Sequence, residues 1–268
     1  MIRAIGVVMP ARDEEALLGD AVAAVLEARA ALVRAEPEWA ESGRVRVVVV
    51  LDACTDGSLN IARAFGPAIE VLEVEVANVG RARAAGVDRM LARRHPRARG
   101  FVGSSDGECD AESLAAPGRP SERGDGIDVG PLDYRELWIC STDADTVVPA
   151  SWLRDHLQAA RDGADVAVGR VVPRSADLAP ATLAAWRREH EGGGRHVYGA
   201  NLGFRADAYR AAGGFPPLSV GEDVELVRTA EQNGATVLDL PFSVVQTSGR
   251  RDGRTPGGFA GYLRTLAE

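Results

Sequence analysis

The sequence predicts an α/β fold built on a doubly wound sheet, and three observations predict it. A short apolar strand alternates with a helix three times between residue 2 and about residue 94. The strands are rich in valine and isoleucine, apolar enough to be buried on both faces as parallel strands are. Each strand ends in a polar cluster, so Asp, Asn, Gly and Ser collect along one edge of the sheet. In open α/β sheets, ligands bind at that edge, outside the carboxyl ends of the strands.

Residues 2–9 read as a buried strand closed by Pro10. Pro10-Ala11-Arg12-Asp13-Glu14-Glu15 leads into a helix with Leu17, Leu18, Val22, Val25 and Leu26 at three-to-four spacing. Glu14 and Glu15 would suit its first turn electrostatically. Residues 45–51 form a second strand, ending in Asp52-Ala53-Cys54-Thr55-Asp56-Gly57-Ser58 before a helix over 59–65. Residues 69–76 are a third strand, and Asn78-Val79-Gly80-Arg81-Ala82-Arg83 starts a helix running to about residue 94. Taken singly, each cluster is also ordinary turn and cap chemistry. Residues 104–133 break the pattern with Gly, Ser, Pro and acids, and read as a loosely ordered or disordered surface insertion.

The next strand, Trp138-Ile139-Cys140-Ser141, runs into Thr142-Asp143-Ala144-Asp145. Two carboxylates at i, i+2 repel unless something positive lies between them, and a hard divalent cation suits oxygen ligands. A strand end followed by a solvated turn gives the same spacing. Further on, the spacing predicts helices over 151–161, 183–190 and 206–212, with strands over 164–172, 235–238 and 242–247. Gly192-Gly193-Gly194 reads as a joint. Gly199-Ala200-Asn201-Leu202-Gly203-Phe204-Arg205 and Gly213-Gly214-Phe215 bracket the third of those helices, and Gly221-Glu222-Asp223-Val224-Glu225-Leu226 starts another. The tail from residue 248 is basic through Arg250, Arg251 and Arg254, then Gly-rich, then a short amphipathic helix.

Composition narrows the chemistry. With 268 residues, 46% of them hydrophobic, one substantial core is expected. No apolar run approaches the roughly 20 residues of a membrane span. The first residues meet charge too soon for a signal peptide, so the expected location is cytoplasmic, at most peripheral to the inner face of a membrane. Three cysteines (Cys54, Cys109, Cys140) form neither a disulfide framework nor a zinc pattern. All 31 basic residues are arginine, which removes the lysine of a phosphate-binding loop and any Schiff-base chemistry. Of the net charge of -8, a surplus of six acids lies in 104–133, so acidity says little about the rest and nothing supports nucleic-acid binding.

Together these motifs resemble the family 2 glycosyltransferases over nearly the whole chain apart from 104–133. Pro10 to Glu15 resembles the family's Pro-x-x-Asn-Glu-Glu opening, with Asp13 where Asn is usual. Asp52 with Thr55-Asp56-Gly57-Ser58 resembles its second-strand Asp and Thr-Asp-Gly-Thr turn. Asn78, Gly80, Ala82 and Arg83 resemble an Asn-x-Gly-x-x-x-Ala-Arg-Asn segment, although Arg83 matches the motif's Arg only if two residues are lost. Thr142 to Asp145, Gly199 to Arg205 and Gly221 to Leu226 resemble its metal, Gly-Ala-Asn-x-x-Phe-Arg and Gly-Glu-Asp-x-Asp-Leu motifs.

The resemblance implies the GT-A fold, a Rossmann-like, mixed and mostly parallel sheet flanked by helices, as a single domain over 1–268. Its halves would be a nucleotide-sugar-binding part (1–147) and an acceptor and catalytic part (148–247), with a tail over 248–268. It further implies transfer of a sugar from a UDP-, GDP- or dTDP-sugar to a hydroxyl-bearing acceptor. Asp143 and Asp145 would hold Mn2+ or Mg2+. The donor would meet Pro10, Ala11, Asp13, Glu15, Asp52, Gly80, Arg83, Asp143, Ala144 and Asp145. The acceptor would meet Gly199, Ala200, Asn201 and Glu222, with Asp223 as general base assisted by Glu222. Arg250 and Arg251 follow the last strand, where some relatives place a mobile loop over the diphosphate; a solvated basic tail is the alternative. A sugar-nucleotide nucleotidyltransferase and a catalytically silent sugar-nucleotide-binding protein stay open as alternatives, and so does a homo-oligomer.

Overall fold

The computed structural model describes residues 1–41, 43–92, 133–191, 194–253 and 257–266. The expected insertion 104–133 therefore lies outside the described residues, except for Asp133. Elements follow in the order β1 (Ala4–Ala11), α1 (Leu18–Ala35), β2 (Val45–Asp52), α2 (Ser58–Ala64), β3 (Glu70–Val74), α3 (Val79–Ala92), β4 (Leu137–Ser141) and β5 (Thr146–Val147). Then come α4 (Trp152–Arg161), β6 (Val166–Pro173), α5 (Pro180–His190), β7 (Leu202–Arg205), α6 (Ala206–Ala211), α7 (Glu222–Gln232), β8 (Val237–Thr247) and α8 (Phe259–Thr265). Among the described residues no helix is long and apolar enough to cross a membrane.

All eight strands share one sheet in the order β3-β2-β1-β4-β7-β6-β8-β5. β1 pairs in parallel with β2 and β4, β2 with β3, and β6 with β8. β7 runs antiparallel between β4 and β6, and β5 antiparallel to β8. The sheet is thus mixed and mostly parallel, as expected. Every residue of β1 is buried, because the pleat sends alternate side chains to two cores. Ile5, Val7 and Met9 pack with Val47, Val49 and Trp152 in one core. Ala4 and Val8 join Val48, Val50, Met90 and Phe204 in the other. Each fully buried aliphatic side chain of this kind contributes roughly 1.5–3 kcal/mol.

Two expectations are corrected. The late strands predicted over 235–238 and 242–247 are one strand, β8. Its pairing with β6 shifts between Gly169, opposite Leu240, and Arg170, opposite Val244, so residues 241–243 are extra in β8; Phe242 is 93% exposed while Ser243 stays buried. Pro241 has no N–H for the ladder, which is why the pattern breaks there in the sequence. Helix α1 begins at Leu18, so Glu14 and Glu15 precede it and only Asp20 is an acid of its first turn.

Candidate active site

A cleft of roughly 690 Å³ opens at the carboxyl edge of the sheet. It lies where β1 has β2 on one side and β4 on the other, the point at which strand order reverses and connections diverge. Pro10, Ala11, Asp52, Arg83, Asp143, Ala144 and Asp145 line it from the parallel half; Gly199, Ala200, Glu222 and Asp223 line it from the other.

The loops after β1, β2 and β3 each carry a left-handed residue that is not glycine: Asp13 (φ 51°), Ala53 (φ 51°) and Ala77 (φ 47°). Such a conformation costs about 1–2 kcal/mol and persists only where neighbours impose it. Asp52 imposes it at Ala77, its buried carboxylate accepting the N–H groups of Val76, Ala77 and Asn78 at 2.8, 2.8 and 2.9 Å. Asp52 therefore shapes the wall with both oxygens already engaged. Asp13 accepts from the Thr55 N–H at 2.6 Å and Glu15 from the Gly57 N–H at 2.8 Å. In return, the Glu14 N–H donates to Ser58 Oγ and the Glu15 N–H to Asp56. Asp13 and Glu15 thus lace two loops together and do not line the cleft.

Gly80 is not a lining residue either. Its N–H donates to Leu218 O at 3.2 Å, and a Cβ there would strike the Pro216 and Leu218 carbonyls. Asn201 is fully buried behind the cleft. Its Oδ1 accepts from Trp152 Nε1 (2.8 Å) and His156 Nε2 (3.2 Å), and its Nδ2 donates to Arg170 O and Ser243 O. All its hydrogen-bonding capacity joins α4, β6 and β8, leaving none for an acceptor. With Nε2 donating, His156 Nδ1 is bare and has no partner, and burial drives the imidazole pKa down to about 4.

At the centre, two arginines balance the acids. Arg83, only 3% exposed, ion-pairs with Asp143 and Glu222, and its Nε donates to Ser141 Oγ at 3.1 Å. Its guanidinium lies against Gly199, where a Cβ would collide with it. Glu222, 3% exposed, reaches the cleft wall with its carboxylate held by Arg83. Arg250 ion-pairs with Glu14 (2.6 Å through Nη1) and with Asp145 (3.1 Å). Burial, then the neighbouring Asp143, pushes the Asp145 carboxyl up to about 6, against the pull of Arg250. Asp223 Oδ2 accepts the Gly199 N–H at 2.5 Å and Oδ1 its successor's N–H at 2.8 Å, which fixes the carboxylate at the start of α7.

Two features escaped the sequence reading. Glu14, taken for a helix acid, faces the cleft under Arg250. An aromatic group from α5, residues 196–198 and α8 closes the far end; its signals in the sequence are His190 and the place of His196 and Tyr198 just before the Gly199 motif.

Asp143 and Asp145 offer hard oxygens suited to Mg2+ or Mn2+, and the Arg250 guanidinium already lies between Glu14 and Asp145 as a positive charge. Asp13, Cys54 and Asp56 also bring ligand atoms within 4.8 Å of one another. Burial raises the Cys54 pKa, so it stays a thiol donating to Ala11 O, and the trio fits a hard cation poorly.

Sheet order and edge define the fold as that of the GT-A glycosyltransferases. The chain is similar to Staphylococcus aureus TarS 1–349 in complex with UDP-GlcNAc, at TM-score 0.59 and 12% identity over 98% of this chain and 65% of that one. It is also similar to S. aureus TarS (TM-score 0.56, 13% identity, 98% and 39% of the two chains). For TarS 1–349 in complex with UDP the values are 0.55, 13%, 98% and 64%. The chain thus spans less than two thirds of the length of these relatives. No protein-family model matches the sequence, and no curated protein matches it.

Proposed function

We propose that the chain is a metal-dependent glycosyltransferase that moves a sugar from a nucleoside diphosphate sugar to a hydroxyl acceptor with inversion. The observation that carries this reading is the convergence of Asp143, Asp145 and Asp223 on one cleft at the strand-order switch point. Asp143 and Asp145 would hold Mg2+ or Mn2+, with diphosphate oxygens and water completing the shell. When bound, the cation supplies positive charge against the diphosphate leaving group.

The chain's own groups do the rest. Pro10, Ala11 and the loop held by Asp52 form the wall for the nucleoside. Arg250 presents a forked guanidinium that can turn from Glu14 and Asp145 to phosphate oxygens. Asp223, oriented by the Gly199 N–H, takes the proton of the attacking hydroxyl. Glu222 and Arg83 position that helix relative to Asp143. Attack from the Asp223 side, opposite the leaving group, inverts the anomeric centre.

The test is a thermal-shift panel of UDP-, GDP- and dTDP-sugars with and without manganese. A ligand at 100 times its Kd stabilises by about 2.7 kcal/mol. Stabilisation by one donor only with metal present is expected; no shift with any donor would overturn the reading.

A further inference from the structure

The end of the cleft beyond Asp223 is built from rings. His190 stacks on Trp186 at 4.2 Å and lies 4.3 Å from His196, and His196 stacks with Tyr198 at 6.4 Å. Phe259 meets Tyr198 edge-on at 5.8 Å, with Tyr262 beside it at 6.3 Å. The group is anchored: Leu263 of α8 is buried against Leu178 and Trp186. His190 Nδ1–H donates to Trp186 O at 2.8 Å, so its Nε2 accepts from the Tyr198 hydroxyl at 2.9 Å. His196, Tyr198, Phe259 and Tyr262 all line the cleft.

Charge decides what such a wall can hold. Among the described residues the arginines lining the cleft are Arg12, Arg83 and Arg250; the latter two are engaged by acids at the metal end, and Arg12 follows β1. At the aromatic end the charged lining groups are Glu189, which accepts from Tyr262 Oη at 2.5 Å, and Asp223. Partial burial, then His190 and Arg170 nearby, lower the His196 pKa, which favours a neutral ring. A phosphate or carboxylate would meet the like charge of Glu189 and Asp223 in the lining itself, whereas Arg170, the positive charge near His196, is not a lining residue. A purely apolar ligand would cover two carboxylates without giving them donors. A hydroxylated ring meets both demands, because its C–H face suits the electron-rich aromatic faces and its hydroxyls suit the acids.

We propose that the acceptor is an uncharged pyranoside, its ring against His196, Tyr198, Phe259 and Tyr262 and its hydroxyls directed at Glu189 and Asp223. Its role as acceptor rests on the transfer reaction proposed above; its binding to the wall does not. In transfer, the acceptor oxygen bonds to the donor's anomeric carbon and the carbon–oxygen bond to diphosphate breaks. The electron pair leaves with the diphosphate, and the hydroxyl proton passes to Asp223.

The experiment is saturation-transfer NMR on the full chain with the methyl glycosides of glucose, galactose, mannose and N-acetylglucosamine, their 6-phosphates, and glycerol 3-phosphate, with and without UDP and manganese. At least one neutral glycoside is expected to bind with its ring C–H protons saturated. Its 6-phosphate should bind about tenfold more weakly, and Tyr198→Ala should weaken the neutral glycoside about tenfold. His196 is exposed, so His196→Ala tests the wall without threatening the fold and should weaken binding about threefold. Tighter or equal binding of the phosphates, no glycoside binding in any arm, or unchanged binding in both variants would overturn the proposal. Glycoside binding together with no thermal shift for any sugar nucleotide would support the wall and sink the donor reading instead.

Discussion

The cleft and the polar knots beside and behind it use the same residue types in opposite ways. In the cleft, Asp143 and Glu222 share the buried Arg83, while Glu14 and Asp145 share Arg250, a partly exposed guanidinium that can be exchanged for another cation or turned to a phosphate. In the knots, Asp13, Glu15, Asp52 and Asn201 are held by main-chain N–H and C=O groups and, at Asn201, by buried rings. A buried amide or carboxylate filled from within the fold, as at Asn201 and Asp52, is scaffold; Glu14 and Asp145, paired with the partly exposed Arg250, are open to exchange with a ligand.

The strongest way to break this contrast is Asn201→Leu. It would strand Trp152 Nε1, His156 Nε2 and two carbonyls, each costing ~1–3 kcal/mol, so a loss of ~4 kcal/mol or more is expected in urea denaturation. A loss under ~1 kcal/mol would show the knot to be dispensable. Arg83→Leu comes next. It leaves Glu222 buried without its counter-charge, for about 3–5 kcal/mol, and the double variant Arg83→Leu/Glu222→Leu should recover much of that. No recovery would place the cost in packing instead.

His156 gives a pH test of the knot. Its pKa is about 4 in the fold against 6.5 ordinarily, so between those values the unfolded chain binds the extra proton. The His156 contribution is full above about pH 6.5 and falls as pH drops towards 4, by about 2 kcal/mol at pH 5, while Asp145, raised to about 6, works in the opposite direction over the same range. His156→Gln should remove the His156 fall from the pH–stability curve, and superimposable curves would refute the assignment. Asp223→Asn should have the smallest effect on stability, within about 1 kcal/mol, since the amide oxygen can still accept the Gly199 N–H. Transfer should nevertheless fall about 100-fold or more with donor binding intact. Loss of donor binding in that variant would move Asp223 to the donor side.

The sequence by itself determined the architecture and the positions of the acids. Strand periodicity and punctuation depend on neighbours along the chain, so the β1–α3 alternation, the Asp143–Asp145 turn and the first turn of α7 could all be read directly. It did not determine which acids face the cleft. Asp13 and Glu14 are adjacent, yet one laces a loop and the other meets Arg250, 236 residues away in sequence. That division follows from a left-handed turn at Asp13 and from where β8 delivers its C-terminal end. The aromatic wall likewise exists only once α5 and α8 pack together, because ring contacts between distant segments leave no period in the sequence.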